Sequence, residues 1–186
     1  MHSVGELDAG QSCIVLVGPP GAGKSTVSLA LARRLSRSAL FSSDEISRLI
    51  VSGYVWPLGT PADEASAQVD LTLSNLLSLA SNFMAAGFTP IVETIFDTAR
   101  RFEQFRRELG ARLVLVVLDV DEHTCRRRDA GRPVEERFSF DDYSGLRARM
   151  HAAFGAHGWW FDTSELTVEE TVELIVAGAA DRAKAI

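Results

Sequence analysis

The residues with the plainest chemistry run consecutively: Gly18, Pro19, Pro20, Gly21, Ala22, Gly23, Lys24 and Ser25, a match to G-x-x-x-x-G-K-[ST]. Glycines let such a stretch turn tightly, so that backbone N–H groups point inward. The helical pattern that follows, TVSLALARRL, presents its positive end to an anion. Lys24 supplies a point charge suited to β- and γ-phosphates, and the Ser25 hydroxyl is a ligand type suited to Mg²⁺. Thr26 joins this set of candidate nucleotide-binding residues. Lysine occurs only at Lys24 and Lys184 among many arginines, which makes the position of Lys24 informative. The competing reading is a glycine-rich turn carrying an exposed lysine. With average residue usage the bare pattern arises by chance in a chain of this length less than about once in a hundred. The two prolines do not weaken it, because their positions need not donate to a phosphate.

Carboxylates placed to serve such a loop come next. The segment LFSSDEISRL ends an apolar run on Asp44, which can accept or orient the proton of an attacking hydroxyl. The alternative is that Asp44, with Ser42 and Ser43, caps the helix that follows. The run IVETIFD ends on Glu93, a candidate for a Mg²⁺-bound water or a substrate hydroxyl. Asp119, after LVLVVL, competes for the metal-side role, unless it and Asp121 only shape a strand-end turn. Arg126, Arg127, Arg128 and Arg132 lead into RDAGRPVEERFSFDD, which reads as a lid over about 129–141. Guanidinium groups on such a lid can close onto a transferring phosphate, and the spacing of Arg128 and Arg132 suggests two roles, one stacking on adenine and one reaching the phosphates. Solvated helix faces are the alternative for these arginines. Tyr54 and Trp56, within Val51 to Pro61, either wall an acceptor pocket or belong to the core. Arg48, after the second run, and Arg100, beyond the third, are taken with the acceptor residues.

The elements that must position these groups follow from periodicity. Cys13 to Val17, Ala39 to Ser42, Thr89 to Thr94, Leu113 to Leu118 and Trp159 to Asp162 read as strands. Unbroken apolar runs suit strands buried on both faces, and the long segments between them supply crossover helices, so the fold class is α/β with a mainly parallel sheet. Pro61 to Gly87 is the longest helical candidate, with a break near its start left open. Thr167 and Glu170 form a capping box opening the last helix.

Composition bounds the function. The 186 residues suit one domain, 12–186, behind a polar lead-in over 1–11 that is expected to be flexible. A net charge of −6 argues against coating nucleic acid, which needs many cations facing phosphates. Cys13 and Cys125 have no metal or disulfide spacing, and Cys13 reads as a buried small hydrophobe. No basic start precedes an apolar core at the N-terminus, and no run of about 18 apolar residues occurs, so no membrane span is expected and a cytoplasmic setting is.

From Cys13 to about Val176 the chain resembles the small P-loop kinases of the nucleoside-monophosphate-kinase-like group, through the loop, LFSSD, IVETIF, the Arg128–Arg132 pair and FDTSELTVEE. Two members are most similar. LFSSD and the Cys125 to Arg132 spacing resemble the kinase domain of bacterial polynucleotide kinase-phosphatase; IVETIF and WWFDTS resemble chloramphenicol phosphotransferase. The resemblance implies a three-layer sandwich with strand order 2-3-1-4-5, Asp44 as general base, Arg132 on the transferring phosphate, and adenine between Arg128 and the Asp162 to Ser164 loop, including Thr163. It implies ATP and Mg²⁺ as cofactors, and no N-K-x-D motif is present to read guanine. Polynucleotide kinases usually carry a phosphate-clamping arginine three residues after the base. Here Ser47 stands there and Arg48 one later, a rotation of about 100° on a helix. That favours a small hydroxylated acceptor over a 5′-hydroxyl nucleic-acid end. A regulatory ATPase without an acceptor is the third reading.

Overall fold

A computed structural model describes residues 7, 10–134, 137 and 140–183. Five parallel strands form one sheet: β1 (Cys13–Val17), β2 (Ser38–Ser42), β3 (Thr89–Thr94), β4 (Leu113–Leu118) and β5 (Trp159–Phe161). Their order is β2-β3-β1-β4-β5. Every residue of β1, β3 and β4 is buried, whereas the flanking β2 and β5 are mostly half-buried. Strands buried on both faces require helices on both, and the helices divide accordingly. α1 (Lys24–Arg34) packs against α7 (Val168–Arg182). α3 (Ala62–Ala85), α4 (Ala99–Leu109) and α6 (Tyr143–Phe154) pack in succession as the other layer. Short α2 (Ser43–Ser47) follows β2 directly, and α5 (Glu122–Ala130) follows β4.

The long helix runs from Ala62 to Ala85 without a break, because Ala65, Gln68, Thr72, Leu73, Leu76, Leu77, Ala80 and Met84 repeat at helical spacing along one buried stripe. None of the helices among the described residues is long and apolar enough to cross a membrane. The capping box is present: Thr167 Oγ1 accepts from Glu170 N at 3.1 Å and Glu170 Oε2 accepts from Thr167 N at 2.8 Å.

Leu7 is fully buried, and its carbonyl accepts from the Thr89 hydroxyl at 2.9 Å, so the lead-in is anchored at that residue. Residues 1–6 and 8–9 of the lead-in, and 135, 136, 138 and 139 of the lid segment, lie outside the described residues.

Candidate active site

The glycine-rich loop joins β1 to α1. Gly21 has φ 77°, and a Cβ there would lie 2.5 Å from the Cys125 carbonyl oxygen. Gly23, at φ 94°, caps α1 with no side-chain acceptor. The first-turn N–H groups of α1 therefore face the cleft without a capping side chain, which is the arrangement that receives phosphate. Lys24 Nζ donates to the carbonyls of Gly18 at 2.8 Å and Pro19 at 3.1 Å. Burial pushes its ammonium below the ordinary lysine range, opposed by the charges of Glu93 and Asp44. Pro20, Gly21, Gly23, Lys24 and Ser25 line a small cleft of about 100 Å³. Gly18, Pro19 and Ala22 are buried beneath it, and Thr26 faces outward on α1, away from that lining.

Register brings Glu93 to the same place. It pairs with Leu16 in β1 and with Ser42 in β2, so its carboxylate rises beside the loop. Ser25 Oγ donates to Glu93 Oε1 at 3.2 Å, and Ser28 Oγ donates to Oε2 at 3.0 Å, a contact that spacing in the sequence did not suggest. A hydroxyl and a buried carboxylate are hard oxygen donors that fit Mg²⁺. No cluster of three or more His, Cys, Asp or Glu among the described residues could hold a metal by itself. The remaining ligands of an ion here would be phosphate oxygens and water. Asp119 is otherwise engaged: Arg147 grips both its oxygens at 2.7 Å. Asp121 caps α5 through Thr124 N, which holds its carboxyl down at about 2.

Asp44 is not the cap of α2. Ser42 takes that role, accepting from Asp44 N at 3.2 Å, which leaves the exposed Asp44 carboxylate available. Pro20, Ser43, Asp44 and Ile95 are shared between the phosphate cleft and a wider cavity of about 610 Å³. Tyr54 and Trp56 wall that cavity at 43% and 44% exposure, so they are not core aromatics. Arg100 also lines it, bonded to Asp70. Arg48 does not: Ser47 faces the cavity, and Arg48, one residue on, turns away from it and is exposed. Asp97, Arg101, Phe140 and Arg149 line it as well and were missed in the sequence, because no motif joins them.

The arginines separate into distinct duties. Arg132 lines the phosphate cleft with Lys24, Ser25, Asp44 and Glu93, its guanidinium 3.8 Å from the Asp129 carboxylate. Arg128 donates to the carbonyls of Ala22 at 3.2 Å, Thr163 at 2.9 Å and Ser164 at 3.2 Å, tying the phosphate loop to the Asp162 to Ser164 loop. Arg126 spans Glu122 and Asp141 over the ring of Tyr143, and Arg127 bonds Thr124, so both are held on the helix surface.

A parallel sheet of order 2-3-1-4-5 whose first strand opens into a glycine-rich lysine loop at the N-terminus of a helix defines a P-loop nucleotide-binding protein of the small-kinase class. The chain belongs to the AAA domain family, whose profile matches residues 13–158. It is 30% identical over 151 residues to an adenylate kinase of Thermus thermophilus, covering 77% of each chain. In structure it is similar to a gluconokinase from Sinorhizobium meliloti 1021, at TM-score 0.63 and 19% identity, covering 92% of this chain and 93% of that one. It is also similar to the tunicamycin resistance protein of Deinococcus radiodurans, at TM-score 0.61 and 18% identity, covering 94% and 99%. The first two of these are kinases by name, and the family and fold together support ATP-dependent phosphoryl transfer as the activity of this class.

Proposed function

We propose that the protein transfers the γ-phosphate of ATP to a hydroxyl of a small molecule, an antibiotic or a metabolite. The observation that carries this reading is Asp44 standing where a narrow phosphate cleft opens into a wide acceptor cavity. An acceptor hydroxyl at that junction gives its proton to the Asp44 carboxylate as its oxygen bonds to the γ-phosphorus. The bond from that phosphorus to the bridging oxygen breaks, and ADP leaves. Lys24 and Arg132 hold the negative charge of the moving phosphoryl group from two sides of the cleft. Ser25 and Glu93 would hold Mg²⁺, which when bound neutralises phosphate charge. Arg128 and the loop at Thr163 form the adenine side.

The antibiotic class is suggested by the IVETIF and WWFDTS segments. A 5′-hydroxyl nucleic-acid end loses support, because Arg48 is absent from the cavity wall and the net charge is −6. An acceptor screen with γ-labelled ATP, covering hydroxylated antibiotics, nucleosides, sugars and 5′-hydroxyl oligonucleotides, tests the proposal. ATP turnover that no acceptor accelerates would favour a regulatory ATPase instead.

Two further outcomes are expected. Arg132→Ala lowers turnover about 10³-fold, the low end for a transition-state arginine, with a smaller change in ATP affinity. A loss confined to ATP affinity would make Arg132 a binding residue only. Gln68 holds the cavity loop to α3: its Oε1 accepts from Val55 N at 2.8 Å, and its Nε2 donates to the Gly53 carbonyl and to Glu64 at 2.8 Å each. Gln68→Ala should raise the acceptor KM about tenfold, the scale of one buried hydrogen-bonded group, with the ATP KM unchanged. Equal changes in both constants would show a general loosening of the fold.

A further inference from the structure

The wide cavity has features that narrow its occupant. Its volume of about 610 Å³ is in the range that encloses a drug-sized molecule. The phosphate cleft is a separate space of about 100 Å³, sharing only its mouth with the cavity, so nucleotide phosphates need not enter the larger one. Tyr54, Val55, Trp56 and Leu58 form one wall from the loop, and Val69 and Leu73 form another from α3. Tyr54, Trp56 and Leu58 are 43%, 44% and 67% exposed, leaving apolar surface that a ligand would remove from water. The Gln68 staple holds this loop in place without a ligand.

The cations of the wall are already committed. Arg101, 7% exposed at its side chain, donates to Asp70 at 2.8 Å, to both oxygens of Asp97 at 2.7 and 3.0 Å, and to the hydroxyl and carbonyl of Ser66. Arg100 bonds Asp70, and Arg149 at the rim bonds Asp142 at 2.8 Å. Drawing the buried Arg101 onto an anionic ligand breaks this network and strands Asp97, whereas Arg100 shares Asp70 with Arg101 and the Arg149–Asp142 pair is exposed. Asp44 also faces the space and repels negative charge, and Asp97, paired with Arg101, leaves that guanidinium no free charge to offer. Among the described residues, no arginine that lines the wide cavity lacks a carboxylate partner.

From this geometry, and resting on the kinase reading above, we infer that the acceptor is an uncharged alcohol held by a bulky apolar or aromatic body, and that phosphorylated and carboxylated acceptors are rejected. The apolar body fills the space between the Tyr54 to Leu58 wall and Leu73, and the hydroxyl reaches back to Asp44.

The test uses the full chain saturated with a non-hydrolysable ATP analogue, so that the nucleotide site is occupied. Three probes are titrated by calorimetry: 3-(1-naphthyl)propan-1-ol, AMP and D-gluconate. The neutral alcohol is expected to bind at least about tenfold more tightly than either anion, with little dependence on salt. Trp56→Ala should weaken it about tenfold. Leu71→Ala, exposed on α3 and outside the cavity lining, should leave it unchanged, with melting temperatures recorded for both variants. Tighter binding of AMP or D-gluconate overturns the inference, and so does failure of the alcohol to bind while the ATP analogue still does. Transfer assays with γ-labelled ATP separate this from the kinase reading. Phosphorylation of AMP would keep the kinase and remove the neutral acceptor. An alcohol that binds while no acceptor is ever phosphorylated would remove the kinase and keep the chemistry of the cavity.

Discussion

Lys24→Ala abolishes phosphoryl transfer and weakens ATP binding about a hundredfold, the scale of hydrogen bonds made by a charged group in a shielded site. The effect is large because the ammonium is withdrawn from water over the carbonyls of Gly18 and Pro19, where its field is poorly screened. Burial lowers its pKa, so the free protein gives up this charge at a lower pH than an ordinary lysine would. Phosphate binding favours the charged form, and apparent ATP affinity in the wild type therefore falls as pH rises toward the lysine range. That dependence should disappear in Lys24→Ala. Calorimetric ATP binding across pH, with transfer measured in parallel, checks both points. Wild-type transfer by this variant would end the phosphate-loop reading.

The sheet was legible in the sequence because β1, β3 and β4 are buried on both faces and so appear as unbroken apolar runs. Strand ends were less so. β2 begins one residue early, at Ser38, because its ladder with β3 starts opposite Thr89. β5 stops at Phe161, opposite Leu118, leaving Asp162 in the loop. The phosphate loop and Glu93 were legible from local patterns that fix backbone geometry. The Asp44 side chain was ambiguous, since Ser42, Ser43 and Asp44 are all good caps and only the backbone of α2 assigns that duty to Ser42.

The acceptor cavity was legible only in part, because its chemistry depends on partners far apart in the chain. Arg101 reads as one more charge on a strongly amphipathic helix. Its burial becomes intelligible once α3 brings Asp70 and Ser66 against it, some thirty residues away in sequence. Leu7 is a single leucine in a polar stretch with no period to mark it, and Thr89 decides its place. Arg48 is a correction: by sequence it counts with the acceptor-binding residues, yet the one-residue offset along the helix puts Ser47, not Arg48, in the cavity lining.

Asp44→Asn is expected to lower turnover by about 10⁴, the upper end for loss of a positioned general base, while leaving ATP affinity and melting temperature nearly unchanged. Asparagine keeps the shape of aspartate and much of its hydrogen bonding, and removes the basic oxygen. Three features make the variant informative here. Ser42 caps α2, so the fold does not depend on the Asp44 carboxylate for that helix end. Asp44 is exposed, so the amide is not trapped in a buried site. It also stands at the mouth shared by the phosphate cleft and the acceptor cavity, where an acceptor hydroxyl and the γ-phosphate would meet. The charge contributes to Lys24 only behind burial and Glu93, so its removal should disturb nucleotide binding little. The decisive measurements are the melting temperature, ATP binding by calorimetry and acceptor phosphorylation on this one protein. A stable, ATP-binding, inactive variant assigns the proton to Asp44. Transfer at the wild-type rate would show that the acceptor hydroxyl is activated without it, and the catalytic role would have to pass to another group at the cleft, where Glu93 is the other carboxylate of the lining.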